Sequence, residues 1–238
     1  MAFEEVTIGN ARLILGDCRE VLADLVGVDS VVTDPPYGIS LKNHGMADGR
    51  RRALDYEIVG DGDQSAGLYV LAWAEEMALP TVFFASPQNP WPGKWRNWLV
   101  WDKGGAVGGG GDTKTCWKRT WELIQITRNG PLKGSRDESV LRYTVTARDS
   151  ELHSCQKPVR LMAYLLDKLD PKKPIDPFMG SGGTGVACAT QGRAFVGIEI
   201  DRRYFDIACR RIEAAQAQGQ LLQHEKPQTP VQGAMGYE

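Results

Sequence analysis

The sequence predicts an α/β fold built on a mostly parallel β-sheet with helices on both faces. Two observations support this fold class. Short apolar runs alternate with segments of helical periodicity through most of the chain, and acidic residues follow the ends of several of these runs. The 238 residues are enough for one α/β domain with a substantial core. We predict a single domain over residues 1–217 and a disordered tail at 218–238, where Gln, Pro and Gly dominate.

The predicted elements follow one another in a regular order. The predicted strands are apolar and rich in β-branched or aromatic residues, and they cover residues 11–15, 29–33, 81–85, 98–101, 121–127, 174–176 and 194–199. The predicted helices carry apolar residues at helical spacing, and they cover residues 19–25, 68–79, 159–169, 184–190 and 202–217. Polar, glycine-containing stretches at about 40–65 and within 103–154 are predicted to be inserted loops.

The composition excludes several classes of protein. No apolar run approaches the roughly 20 residues that a membrane-spanning helix needs, and the first residues lack the pattern of a secretory signal. The five cysteines include no C-x-x-C pair, so we predict neither a disulfide framework nor a metal site. Together these features indicate a cytoplasmic protein.

Charge is unevenly distributed along the chain, although the net charge is only −2. Residues 92–160 carry 13 Lys and Arg against 7 Asp and Glu, whereas the remainder carries 15 against 23. A basic middle third on an otherwise acidic protein suits a polyanionic partner, although an uneven solvated surface would give the same count.

A glycine-rich motif near the C-terminus predicts a site for a nucleoside-containing cofactor. Residues 180–185 fit G-x-G-x-x-G between a predicted strand and a predicted helix. Glu199 ends the next strand, about twenty residues after Gly180, where an acid binds ribose hydroxyls. The motif alone accepts either NAD or S-adenosylmethionine. The preceding Asp176, Pro177 and Phe178 favour S-adenosylmethionine, because a dinucleotide site usually passes directly from apolar strand to glycine.

A second motif, Asp34-Pro35-Pro36-Tyr37, follows the apolar run at residues 31–33. The exocyclic amine of a nucleobase is a poor nucleophile because its lone pair is delocalised into the ring. Asp34 and the Pro35 carbonyl supply acceptors for such an amine, and the two prolines stiffen the turn. Tyr37 offers a flat face on which an extruded base can stack. The motif therefore predicts chemistry on the amino group of a flat base.

Four acidic residues are predicted to meet at one edge of the sheet. Asp17, Asp34, Asp176 and Glu199 all stand at the ends of predicted strands. Ligands of parallel sheets bind beyond the carboxyl ends of the strands, so this edge is the predicted site.

The two motifs resemble those of the DNA amino-methyltransferases, the N6-adenine and N4-cytosine enzymes. Their order, with residues 34–37 first and residues 178–185 last, resembles the circularly permuted β group. The resemblance implies a Rossmann-like class I methyltransferase fold with a seven-stranded, mostly parallel sheet and one antiparallel strand. It also implies S-adenosyl-L-methionine as cofactor and double-stranded DNA as partner. Members of this group are often dimers, which leaves a homodimer open.

The resemblance also implies roles for individual residues. Residues 16–18 resemble the element whose acid binds the cofactor adenine, and residues 153–158 resemble the element that helps to hold its methionine end. The expected cofactor-binding residues are Asp17, Cys18, His153, Lys157, Asp176, Phe178, Gly180, Ser181, Gly182, Thr184 and Glu199. The expected catalytic residues are Asp34, Pro35, Pro36 and Tyr37.

Basic residues in the two loops are the candidates for DNA contact. They are Arg50, Arg51 and Arg52 in the first loop, and Lys133, Arg136 and Arg142 in the second. Arginine and lysine contact phosphates readily, but nothing in the sequence identifies a recognition site.

Several functions stay open at this point. Asp34 favours adenine N6 over cytosine N4, because serine is common at this position in the cytosine enzymes. An NAD-dependent oxidoreductase, a methylase of protein or RNA and a non-catalytic DNA-binding relative are the alternatives. The sequence also leaves open whether the protein is an orphan, a phage-borne enzyme or half of a restriction system.

Overall fold

The computed structural model describes residues 3–38, 62–104, 117, 120–127, 132–145 and 156–224. Within these ranges the chain forms nine strands and five α-helices. The strands are β1 (Glu4–Ile8), β2 (Ala11–Leu15), β3 (Ser30–Thr33), β4 (Thr81–Ala85), β5 (Asn97–Asp102), β6 (Trp121–Ile126), β7 (Val140–Arg142), β8 (Pro174–Asp176) and β9 (Phe195–Glu199). The helices are α1 (Cys18–Val21), α2 (Ser65–Glu76), α3 (Val159–Leu169), α4 (Gly183–Thr190) and α5 (Arg202–His224).

All nine strands belong to one sheet, in the order β1-β2-β9-β8-β3-β4-β6-β5-β7. Strands β1 and β6 run antiparallel to their neighbours, and the other seven run parallel to one another. The predicted α/β class is confirmed. The central strands β3, β4, β8 and β9 are buried along their whole length, as expected of strands covered on both faces.

The sheet has two strands more than the expected seven. The seven strands from β2 to β5 in the sheet order include one antiparallel strand, β6, as expected. The additional strands, β1 and β7, extend the two edges. Both escaped prediction because neither contains an apolar run: β1 is half polar and mostly exposed, and β7 has only three residues.

Helices cover both faces of the sheet. Helices α3, α4 and α5 pack on one face through residues such as Leu165, Ala187 and Phe205. Helices α1 and α2 pack on the other face through residues such as Val21 and Val70. The chain after β3 continues to α2 on the second face, whereas β8 leads to α4 on the first. A crevice is therefore expected between the carboxyl ends of the adjacent strands β3 and β8.

The last helix is longer than predicted. Helix α5 continues to His224, so residues 218–224 of the expected disordered tail are helical. These residues are mostly Gln and Leu, which have high helix propensity and extend a helix that is already nucleated. Residues 225–238, most of the first predicted loop and much of the second lie outside the described residues. None of the helices in the described part of the chain is long and apolar enough to cross a bilayer.

Candidate active site

The predicted meeting of acidic residues at one sheet edge is confirmed. Strands β2, β9, β8 and β3 are neighbours and parallel, so their carboxyl ends bring Asp17, Glu199, Asp176 and Asp34 side by side. The Gly16 N–H donates to the Glu199 carbonyl over 2.9 Å, which joins the first two of these strand ends.

Asp176 joins the end of β3 to the glycine loop. Its Oδ1 accepts from the Thr33 hydroxyl at 2.6 Å and from the Phe178 N–H at 3.2 Å, and its Oδ2 accepts from the Thr184 hydroxyl at 2.6 Å. Burial raises the pKa of this carboxyl to about 6. Because both oxygens already accept bonds from protein donors, Asp176 holds the cofactor loop and the strand before Asp34 in one arrangement.

The glycine loop has the conformation that its sequence requires. Gly180 and Gly182 have φ angles of 52° and 83°, in the left-handed region that favours glycine. A Cβ added at Gly182 would lie 2.9 Å from the Cβ of Ala208 on α5. Among the described residues, only the Phe178 carbonyl oxygen would come within 4.0 Å of a Cβ added at Gly180, so this part of the structure leaves space there for a close ligand.

Glu199 fits the role of a ribose-binding acid at this loop. Its Oε2 accepts from the Gly180 N–H, and its Oε1 accepts from the Asp201 N–H, both at 2.8 Å. Burial raises the pKa of this carboxyl to about 7. Each carboxylate oxygen has a second lone pair, so Glu199 retains acceptor capacity for hydroxyl groups. A carboxylate that accepts hydrogen bonds, beside the space at Gly180, suits the hydroxyl groups of a nucleoside.

Two residues that contact the glycine loop, Gln156 and Arg211, were not predicted as site residues from the sequence. The Ser181 hydroxyl donates to Oε1 of Gln156 over 3.0 Å, and the Arg211 guanidinium donates to the same Oε1 at 3.3 Å and to Ser181. Arg211 lies on α5, 30 positions beyond Ser181, so no local pattern indicates their contact.

The remaining cofactor candidates differ in what their side chains contact. Asp17 caps α1, and its carboxylate accepts from the backbone N–H and guanidinium of Arg19. The Cys18 thiol is buried in the core, where desolvation raises its pKa to about 12. Phe178 is half-buried against the same core. His153 lies outside the described residues.

The Asp34 motif forms a compact turn beyond β3. The Tyr37 hydroxyl donates to Oδ1 of Asp34 at 2.6 Å, and the Tyr37 carbonyl accepts from the side-chain amide of Asn89 at 2.9 Å. Pro35 is buried, whereas Pro36 and the Tyr37 ring are partly exposed. Asp34 and Tyr37, which are close in the sequence, are therefore also in direct contact through their side chains.

Lys157 reaches the catalytic motif with its side chain. Its Nζ lies 2.5 Å from Oδ2 of Asp34 and within 6 Å of the ring centroids of Tyr37, Phe84 and Trp101. Its carbonyl oxygen lies 3.6 Å from where a Cβ on Gly183 would stand. The structure therefore places the Lys157 carbonyl beside Gly183 and the Lys157 ammonium on Asp34, a contact that the sequence did not predict.

Glu122 and Lys103 complete this cluster, and the sequence analysis missed both. Glu122 lies on β6, and its Oε2 is 3.2 Å from Lys157 Nζ and accepts from the Tyr37 hydroxyl at 3.3 Å. Its Oε1 is 2.7 Å from Nζ of Lys103. The available signal was a charged residue within an otherwise apolar strand, where an uncompensated charge is costly.

The pKa values of the two carboxyl groups in the cluster are shifted in opposite directions. Burial raises the pKa of Asp34, although the Lys157 ammonium acts against this shift. Burial also acts to raise the pKa of Glu122, but the ammonium groups of Lys157 and Lys103 outweigh it and hold the pKa below its usual value. Glu122 is therefore the more strongly ionised of the two.

The DNA-binding candidates are not gathered at one place. Lys133 contacts the end of α3, through its ion pair with Asp167 and its N–H bond to the Lys168 carbonyl. This end of the helix leads into the start of β8, away from Asp34. Arg142 ends β7, whose carboxyl end lies on the same edge as that of β5. Arg136 lines an open groove with Arg142, whereas Arg50, Arg51 and Arg52 lie outside the described residues.

The family of the chain is shown by sequence comparison. The family model for N6 and N4 methyltransferases, described as DNA methylase, matches residues 85–210, more than half of the chain. YubD of Escherichia coli strain K12, whose name assigns it to the methylases, is 28% identical over 222 residues, covering 87% of this chain and 92% of YubD. The type II methyltransferase M.HindIII of Haemophilus influenzae is 33% identical over 95 residues, 39% of this chain and 31% of that enzyme.

Solved structures agree in fold. The M1.HpyAVI complex with SAM superposes with a TM-score of 0.60 at 21% identity, covering 84% of this chain and 99% of that one. The cytosine-N4-specific PvuII DNA methyltransferase superposes with a TM-score of 0.57 at 12% identity, covering 92% and 95%. At these identities the comparison establishes the fold class.

Fold and site thus define a class I methyltransferase. The chain belongs to the N6/N4 DNA methylase family, and S-adenosylmethionine is the cofactor of this class of enzyme. The expected family and cofactor are confirmed. The oxidoreductase alternative, which the glycine loop alone left open, gains no support from these similarities.

Proposed function

We propose that this protein methylates the exocyclic amine of a base in double-stranded DNA at a specific sequence, and that the base is adenine, modified at N6. The observation that carries the proposal is the position of Asp34. Its carboxylate stands at the end of β3, between the hydroxyl of Tyr37 and the ammonium of Lys157. Asp176 connects this strand end to the glycine loop.

The cofactor side of the site is formed by the loop between β8 and α4 and by the end of β9. S-adenosylmethionine supplies the methyl group, carried on a sulfonium centre. Glu199 is suited to accept from the ribose hydroxyls, Asp17 from the adenine amine, and Phe178 to contact the cofactor with its ring. The open space at Gly180 allows close approach to the backbone. Gln156 and Arg211 hold the loop from the opposite side through Ser181.

The substrate side is formed by residues 34–37. Asp34 accepts a hydrogen bond from the target amine, and the Pro35 carbonyl is suited to accept a second. These bonds draw the nitrogen toward tetrahedral geometry and make its lone pair available for direct transfer. The partly exposed ring of Tyr37 is suited to stack on the extruded base. Positioning of amine and methyl group supplies much of the rate enhancement in such a displacement.

Two features support the choice of base and polymer. The aspartate at the first position of the motif favours adenine over cytosine, for which serine is common in the family. The basic middle third of the chain favours DNA, and Arg136 and Arg142 are the described residues best placed to contact it. Lys133 contributes less in this proposal, because its ammonium pairs with Asp167 near the far end of α3.

The proposal is tested by methylation-sensitive long-read sequencing of DNA from cells that express the protein. We expect N6-methyladenine in one short sequence context, and far less of it in cells that express Asp34→Ala at the same level. Detection of N4-methylcytosine in a fixed sequence context would show that the target base is cytosine, and the proposed methylation of an exocyclic amine would stand. Absence of any new modified base, in cells with folded protein, would overturn the proposal.

A further inference from the structure

We propose that Glu122, held by Lys103, is a positioning residue of the methyl-transfer site, which fixes the ammonium of Lys157 and the hydroxyl of Tyr37 relative to Asp34. The inference rests on the proposed function, in which Asp34 receives the target amine. It assigns a role to two residues that lie outside both sequence motifs, Glu122 on β6 and Lys103 directly after β5.

Glu122 and Asp34 share the same two donors. The Lys157 ammonium lies 2.5 Å from Asp34 and 3.2 Å from Glu122. The Tyr37 hydroxyl lies 2.6 Å from Asp34 and 3.3 Å from Glu122. Both donors lie closer to Asp34, but each also has Glu122 as a second acceptor, so the two carboxylates share the donors. Asp34 thereby keeps acceptor capacity for an incoming amine.

The charges of the cluster balance, and loss of any one of its four ionic residues leaves one charge uncompensated. Asp34 and Glu122 are two carboxylates, and Lys157 and Lys103 are two ammonium groups. The side chains of Lys157, Glu122 and Lys103 are only 7%, 17% and 18% exposed, so each charge depends on its partners for stabilisation. Without Glu122, Lys157 would pair with Asp34 alone, against three aromatic rings. That pairing would compete directly with the target amine.

The position of Glu122 on β6 argues against a purely structural role. Alternate residues of a strand share a face, so Glu122 lies on the same face as Ile124 and Ile126, which are buried. An apolar residue would serve packing at this position without the desolvation of a charge. The register pairs Glu122 with Trp101, one residue before Asp102 at the end of β5, so the carboxylate lies at the edge of the sheet that carries the site.

The first test compares Glu122→Gln and Lys103→Met with the wild type in single-turnover methyl transfer to unmethylated plasmid DNA. We expect the rate constant to fall roughly 10-fold or more in both variants, while the dissociation constant of S-adenosylmethionine changes less than about twofold. Arg193→Met is the matched control, because Arg193 is similarly buried, at 12% exposure, and pairs with Asp170 at the end of α3, away from the site. Its rate constant should equal that of the wild type.

The dependence of the rate on pH separates positioning from general destabilisation. The described ionisable groups that face Asp34 are Tyr37, Lys157, Glu122 and Asp176, with Lys103 behind Glu122. The Glu122 carboxylate favours the protonated form of Asp34. Glu122→Gln should therefore shift the acid limb of the pH–rate profile to lower pH, and loss of folding alone would leave its midpoint in place.

A second measurement does not depend on activity. Acetic anhydride acetylates a lysine side chain faster when its amine is accessible and unprotonated. Mass spectrometry then reports the labelling rate of Lys157. The Glu122→Gln variant should label at Lys157 about 10-fold faster, because the ammonium loses one of its two carboxylates. Labelling of Lys168 serves as the internal reference.

The outcomes distinguish this inference from the proposed function. If the wild type transfers no methyl group to DNA, the proposed function fails, and Lys157 labelling alone decides the positioning role. The inference would be overturned if Glu122→Gln transferred methyl groups at the rate of the wild type and its Lys157 were labelled at the wild-type rate. A slower variant with an unshifted pH midpoint and unchanged labelling would also overturn it, by showing a structural role. If Glu122→Gln fails to fold, the rate constant and cofactor affinity of Lys103→Met decide, and a wild-type rate constant in that variant would overturn the inference.

Discussion

The ammonium of Lys157 lies 2.5 Å from the carboxylate of Asp34, although the two residues are 123 positions apart in the chain. Lys157 immediately precedes α3, in the segment that borders the cofactor loop, and Asp34 follows β3. In the proposed function, this contact joins the substrate side of the site to its cofactor side. It also means that the ionisation of Asp34 depends on a residue assigned from sequence to the cofactor.

Asp34→Ala removes the acceptor for the target amine. Hydrogen bonds to charged groups contribute about 1.5–3 kcal/mol, so we expect methyl transfer to fall roughly 10- to 100-fold or more. Binding of S-adenosylmethionine should survive, because Asp34 does not belong to the glycine loop. Transfer of labelled methyl groups and calorimetric binding of the cofactor are the two measurements. Asp24→Ala, at an exposed position, is the control, and undiminished transfer by Asp34→Ala would refute the assigned role.

Lys157→Met removes the positive charge beside Asp34. Burial raises the pKa of Asp34 and the Lys157 ammonium lowers it, so loss of the ammonium raises this pKa further. Because Asp34 accepts the amine only when ionised, the acid limb of the pH–rate profile should move to higher pH. This shift is opposite to the one expected for Glu122→Gln. A profile that stays in place would show that Lys157 does not act through Asp34.

Glu199→Gln tests the cofactor side of the site. The pKa of Glu199 is raised to about 7, so its ionised fraction increases between about pH 6 and 8. An ionised carboxylate accepts more strongly from ribose hydroxyls, and the affinity of the wild type for S-adenosylmethionine should rise over this interval. Glu199→Gln should bind about 10-fold more weakly, without this dependence on pH.

Isothermal titration calorimetry at pH 6, 7 and 8 measures both effects of Glu199→Gln. Glu213→Gln, on an exposed face of α5, is the control. The same pH dependence in Glu199→Gln as in the wild type would assign the titration to another group.

Asp176→Asn tests the buried link between β3 and the glycine loop. The carboxyl has a pKa of about 6 in the folded protein and a usual value of 3.8, so the folded state binds more protons between about pH 4 and 6. Stability contributed by this group therefore falls as pH rises through that window, by at most about 1.4 kcal/mol per unit. The asparagine variant lacks this contribution. Urea denaturation should show the difference in stability between variant and wild type changing over pH 4–6, and a constant difference would contradict the assignment.

Gly182→Ala tests the close approach of the glycine loop to α5. The substitution places a Cβ 2.9 Å from that of Ala208 on a backbone with φ of 83°. Left-handed strain adds about 1–2 kcal/mol and overpacking about 1–3 kcal/mol, so the free energy of unfolding should fall by about 2–5 kcal/mol. Gly192→Ala has a similar φ of 67°, and no atom of the described part of the chain lies within 4 Å of its added Cβ, so it measures the strain alone. Equal losses in the two variants, by urea denaturation, would exclude a role for packing against Ala208.

Prediction from sequence succeeded where one local signal was sufficient. Apolar runs such as residues 81–85 and 195–199 form strands because both of their faces are buried, and their composition reports that burial. The prediction failed for β1 and β7, because β1 is mostly polar and exposed, and β7 has only three residues and pairs with β5, about 40 positions earlier in the chain. It also missed the last turns of α5, where a tail rich in Gln continues the helix.

The sequence by itself determined the class of fold, the glycine loop and the acids at the strand ends, because periodicity and turn residues are local properties. The tertiary structure alone decided how the site is charged. Asp34, Glu122, Lys157 and Lys103 come from four separate segments, and their contacts arise only when β3, β5 and β6 take their places in the sheet. The ionisation of a buried group depends on distances to its neighbours, and spacing along the chain does not specify those distances.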